Sequence, residues 1–225
     1  MFKRFDEAVN FIQNQHIRMV DLKFSDLWGR WHHVTISAKE FTPILMSAGV
    51  GFDGSSVGFR SITSGDMVLI PDLETGFMDP FWETPTLSFI CNTFEADTKQ
   101  KNLHDPREIA RRAEEYLCSK GIADQSLWGP EFEFYIFNRV HLENGINVAS
   151  YRLDSVESNW NSANGGHGHY IPLHGGYHAI PPRDQLYNLR SKMTETLEDM
   201  GIPVKYHHHE VGGPGQCEIE TPLLG

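Results

Sequence analysis

Two short stretches constrain this chain more than any other feature. GPEFEFYIF (129–137) and HHHEVGGPGQCEIE (207–220) put five glutamates into strand-like segments. In a strand, side chains alternate between faces, so Glu131 and Glu133 share one face, roughly 6.6 Å apart at about 3.3 Å per residue. Phe132, Phe134 and Ile136 share the other, which is expected to pack on a core. The GGPG turn folds the second stretch back on itself, and Glu210 and Glu218 are expected to face each other across a hairpin. Like charges placed opposite each other are unfavourable without a counter-ion. A fold that gathers Glu131, Glu133, Glu210 and Glu218 therefore calls for a cation. Oxygen-only ligands point to a hard ion, Mg²⁺ or Mn²⁺, rather than Zn²⁺. Two such ions form a clamp suited to phosphoryl transfer. The bland alternative for each ribbon alone is an exposed strand face.

The rest of the chain narrows the class. Its 225 residues suffice for one large domain or two small ones. The formal net charge of −11 argues against nucleic acid as a partner, since phosphate binding wants a basic stripe. The basic pair Arg111–Arg112 is followed at once by Glu114 and Glu115, as on a solvated helix. No apolar run is long enough to span a membrane, and the amphipathic N-terminus lacks the features of a secretory signal. Cys91, Cys118 and Cys217 are far apart and show no CxxC spacing, which implies free thiols in a reducing, cytoplasmic setting.

Periodicity gives an α+β fold. DEAVNFIQNQ is a helix by its apolar spacing, and Val20, Leu22 and Phe24 mark a strand. DLWGRWHHVTIS is a hairpin turning near Gly29. A short helix ends at Gly49, and DMVLIPDL and TPTLSFICNTF are further strands. The polar KQKNLHDP marks a boundary, giving units 1–103 and 104–225. In the second unit, Asp105 caps a helix opened by Pro106 and ended by Gly121. HLENG reads as a turn, and residues 150–176 as a long loop, the kind that is functional or mobile. A helix opened by Pro181 and Pro182 closes at Gly201.

Three further groups carry possible chemistry. In GFDGSSVGF (51–59), Asp53 is placed to bond the backbone two residues on, and Gly54 tolerates a positive φ. That is either a surface turn or a loop presenting Asp53 to a cationic ligand. His207, His208 and His209 cannot all converge on one ion, because neighbours in a strand point to opposite faces. His167, His169, His174 and His178 are either substrate contacts or polar filler, and Tyr177 is placed to stack on a ring.

Taken together, these segments resemble type I glutamine synthetase. VDLKFSDLWGRWHHVTI, GFDGSSVGFRSITSGDMVLIPD, DPREIARRAEEYL, GPEFEFYIF, GGYHAIPPRDQLYNLRSKM and HHHEVGGPGQCEIE follow in that family's order and spacing. The resemblance implies a β-grasp-like N-terminal domain, then the first part of a catalytic domain with a curved antiparallel sheet and helices. It implies stacked hexameric rings of identical subunits, with each active site between neighbours. The implied reaction joins ammonia to L-glutamate at the expense of ATP, through a γ-glutamyl phosphate. Carried over, Glu133, Glu210 and Glu218 match the ligands of one Mg²⁺ or Mn²⁺, and Glu131 a ligand of a second. Asp53 matches the aspartate that binds and deprotonates ammonium, and Tyr177 lies in a region near the nucleotide. Two departures stand out. Family members run well past Gly225, and their remaining site residues lie there, so these residues alone are expected to have little or no synthetase activity. Lys205 stands where some members carry a glutamate near the nucleotide. Glu220 matches no ligand and is expected on the strand surface. The alternatives to a synthetase are a non-catalytic binding module and a relative that ligates glutamate to another amine.

Overall fold

The computed structural model describes residues 2–160 and 168–225. His167 lies outside the described residues. The chain forms two compact units, Met1–Ser126 and Leu127–Gly225.

In the first unit, β1 (Met19–Ser25) and β2 (Trp31–Ser37) form the expected hairpin, with Gly29 at φ 77° in its turn. β3 (Val50–Asp53), β4 (Asp66–Pro71), β5 (Phe77–Met78) and β6 (Thr86–Glu95) complete a mixed sheet of order β2-β1-β6-β4-β3, with β5 on β6. β1 and β6 run parallel and the other pairs antiparallel, the mixed arrangement of a β-grasp. Helix α1 (Phe5–Asn14) buries Ala8 and Ile12 in the same core as Val20, Leu22, Phe24, Leu69, Leu87 and Phe89. α2 (Pro43–Ala48) ends at Gly49, whose φ of 74° and close approach to Val68 leave no room for a side chain. Phe89 is fully buried and stacks on Phe41 at 5.3 Å. Phe89→Ala should therefore cost about 3–5 kcal/mol, read as a fall in the urea midpoint.

α3 (Pro106–Ser119) lies in this first compact unit, which runs to Ser126. The cause is Asp105. One of its oxygens caps α3 through the Arg107 N–H, and the other accepts from the Thr93 N–H and hydroxyl of β6.

In the second unit, β7 (Glu131–Tyr135), β10 (Tyr206–His209) and β11 (Gln216–Glu220) form an antiparallel sheet of order β10-β11-β7. Between them come the hairpin β8 (Arg139–Asn144) and β9 (Ala149–Asp154) and the helix α4 (Tyr187–Asp199). HLEN is thus strand, and the first residues of the expected loop are β9, because the turn falls at Gly145–Val148. α4 begins at Tyr187 rather than at the prolines, which lie in the turn before it. It packs on β10 and β11 and reaches them through Arg190. Phe132 on the outer strand is 55 % exposed while Phe134 and Ile136 are half-buried, so the apolar face of β7 is covered only in part.

Candidate metal centre

The register of the three strands decides the site. Glu218 of β11 stands opposite Glu133 of β7 and His208 of β10, and Glu220 stands opposite Glu131 and Tyr206. Directly paired residues share a face. One face of the sheet therefore carries Glu131, Glu133, Glu218, Glu220 and His208. Glu210 joins them by parity, its N–H donating to the Gln216 carbonyl at 3.0 Å. Glu210 and Glu218 are thus diagonal neighbours, not directly opposed as the turn had implied, because His208 takes the place opposite Glu218. The turn itself is tight. Gly215 has φ 85°, and a Cβ there would lie 2.5 Å from the Ile136 carbonyl oxygen.

The carboxylates differ in environment. Glu131 and Glu133 are exposed, whereas Glu210, Glu218 and Glu220 are buried. Gln216 Nε2 donates to Glu133 at 2.9 Å. Burial pushes the Glu218 carboxyl up to about 7, helped by a hydrogen bond with Glu210 and by the charges of Glu210 and Glu133, and opposed by His208. Oε2 of Glu210 is buried with no hydrogen-bond partner. An orphaned buried carboxylate oxygen is costly, and a cation is the natural partner for one aimed into an acidic cluster. Among the described residues, two sets bring ligand atoms within 4.8 Å of one another: His208, Glu210 and Glu218, and Glu131, Glu218 and Glu220. The residues fit a divalent cation by donor chemistry, being mostly carboxylate oxygens.

Two of these residues differ from expectation. Glu220 is 8 % exposed and faces the cluster, so it is not strand surface. The Tyr206 hydroxyl and the Lys205 ammonium hold its carboxyl below the usual range, and Lys205 Nζ lies 3.0 Å from it. His208 places its ring nitrogens 3.6 Å from Glu210 and from Glu218. The parity that pairs Glu131 with Glu133 would have found both residues, since 208 matches 210 and 220 matches 218.

Tyr177 is exposed, stacks on His178 at 4.1 Å and meets the His208 ring edge-on at 5.5 Å. His178 is itself 4.4 Å from His208, so of the loop histidines it borders the acidic face. His207 and His209 point to the other face, as strand alternation requires. There Arg190 bonds Asp184 at 2.6 Å and approaches His207, and burial holds the His207 imidazole below its usual range.

Asp53 lies in the first unit. Its carboxylate accepts from the Ser55 N–H and from the hydroxyls of Ser55 and Ser56, which hold its pKa down. Gly54 does not use a positive φ. It is needed because a Cβ would strike Met67, and the left-handed residue of this loop is Gly58.

A family model described as the glutamine synthetase beta-Grasp domain matches residues 16–96, and one described as the glutamine synthetase catalytic domain matches residues 103–223. The chain belongs to the glutamine synthetase family. The glutamine synthetase of Methylococcus capsulatus is 44% identical over 218 residues, covering 95% of this chain and 46% of the relative. That of Escherichia coli is 42% identical over 221 residues, covering 96% and 47%. Among solved structures, the cryo-EM glutamine synthetase of Plasmodium falciparum superposes with a TM-score of 0.87 at 22% identity, over 99% of this chain and 45% of that one. GmaS in an ADP complex matches with a TM-score of 0.69 at 14% identity, over 96% and 44%. The chain thus spans about half the length of the curated relatives it matches. Among the described residues, no helix is long and apolar enough to cross a membrane.

Proposed function

We propose that the chain supplies the carboxylate metal site of an ATP-dependent ligase that joins ammonia to L-glutamate. Glu133, Glu210 and Glu218 hold one Mg²⁺ or Mn²⁺, and Glu131 contributes to a second. Bound there, such cations neutralise the carboxylates and the phosphates of ATP and polarise the phosphoryl group during transfer to the γ-carboxylate. Asp53, kept ionised by its serine hydroxyls, attracts ammonium and takes its proton. Tyr177, at the rim of the acidic face, borders the nucleotide. The catalytic part is taken to begin near residue 104, the whole protein to act in the cytoplasm as stacked hexameric rings, and no nucleic acid or membrane to take part. The observation that carries this reading is the single face shared by Glu131, Glu133, Glu210 and Glu218, with an orphaned oxygen on Glu210.

The test is phosphate release from ATP by a full-length synthetase carrying these residues. Release should require glutamate and ammonia together with Mg²⁺ or Mn²⁺. Release that is independent of ammonia, or driven better by another amine, would reject the assignment.

A further inference from the structure

Glu157 is fully buried in the second unit and lies outside the acidic face. Its carboxylate collects three donors. The Gln185 N–H reaches Oε1 at 2.7 Å, while the Gly215 N–H and His209 Nε2 each reach Oε2 at 2.8 Å. The other ring nitrogen of His209 lies 2.8 Å from the carbonyl oxygen of Glu210. One side chain thus fixes both sides of the turn between β10 and β11. It holds Gly215 directly, and it holds the Glu210 backbone through the His209 ring.

The surroundings leave this clamp no slack. A Cβ on Gly176 would lie 2.4 Å from both the Glu210 carbonyl oxygen and His209 Nδ1. Gly215 leads into Gln216, whose amide bonds Glu133 at 2.9 Å. Packing alone does not explain a fully buried charge. Apolar residues of the same volume often serve stability as well or better than a buried ion pair. What a charged acceptor with three donors adds is direction: it fixes where each donor's backbone sits.

We propose that Glu157 and His209 are positioning residues for the cation site. They hold the Glu210 and Gly215 backbone so that the Glu210 and Glu218 carboxylates converge. The inference rests on the acidic face being a divalent-cation site.

Mn²⁺ titration of the 225-residue chain, followed by electron paramagnetic resonance, tests both. The wild-type chain should bind Mn²⁺. Glu157→Gln should raise the dissociation constant about 10–100-fold, the usual loss when a group that orients a ligand is removed. The spectrum at saturating Mn²⁺ should also change shape, because Glu210 no longer sits in place. A purely structural role predicts something else: a lower melting temperature, with the affinity and spectrum of the folded protein unchanged. That outcome overturns the inference and leaves the cation site standing. If Glu157→Gln does not fold, His209→Gln decides, since it retains a donor for Glu157 but gives up the bond to the Glu210 carbonyl. An unchanged dissociation constant there overturns the inference equally. A wild-type chain that takes up no Mn²⁺ defeats the cation site, and this inference with it.

Discussion

Glu210→Ala should weaken Mn²⁺ binding by more than about 100-fold, beyond the loss expected for a residue that only orients a ligand. Isothermal titration of the purified chain measures this directly. The effect should be large because the Glu210 Oε2 is buried with no hydrogen-bond partner and has only the His208 imidazole, 3.6 Å away, beside it. Removing it leaves Glu218 with Glu133 as its opposed carboxylate and His208 as its neighbour. The same substitution should cost little folding stability in the absence of metal, since it relieves the crowding of like charges in a buried cluster. Loss of affinity with stability kept or raised is opposite in pattern to Phe89→Ala. An affinity within about threefold of wild type, well below even an orienting residue's effect, would show that no cation is held by Glu210.

That contrast also separates what the sequence discloses from what it conceals. Period-two alternation disclosed β1, because Val20, Leu22 and Phe24 all face the core that α1 covers. Cap chemistry disclosed α3, where Asp105 binds the Arg107 N–H as expected. The same logic misjudged the start of α4. Pro181 and Pro182 resemble a helix opening, but the chain first turns, and Asp184 binds both the Leu186 N–H and the buried Arg190 ahead of and within the helix. The site shows the same split. Parity alone put Glu131 with Glu133, but which residue stands opposite Glu218 depends on the register of the hairpin. The turn from Val211 to Gly215 sets that register, and it gives the place to His208. Glu157 was silent in sequence because its three donors come from residues 28, 52 and 58 positions away. Lys205, which stands where some members of the family carry a glutamate, pairs here with Glu220, 3.0 Å away across the strand pair.

Without metal, the second unit should lose stability as pH rises from about 4.5 to about 7, and Glu218→Gln should remove most of that loss. The cause is the Glu218 carboxyl, ordinarily at 4.5 and raised to about 7 in the fold. Between those values the native protein keeps a proton that the unfolded chain has released. Raising the pH therefore favours unfolding, the reverse of the usual behaviour of paired carboxylates. Below the unfolded value both states are protonated and the full stability is present. Above the folded value both are ionised and the loss, about 1–3 kcal/mol, is complete. Asp53, whose carboxyl is held low by hydroxyls, titrates at more acid pH and stays out of this window. A divalent cation should reverse the trend, because it stabilises the ionised form. Mn²⁺ at a hundred times its dissociation constant adds about 2.7 kcal/mol, and it should add less at acid pH, where protons compete for the same oxygens. Urea unfolding of the wild type and Glu218→Gln across this range, with and without Mn²⁺, reads all of these effects. Parallel pH profiles for the two proteins would mean that the carboxylates of this face are neither crowded nor waiting for a cation.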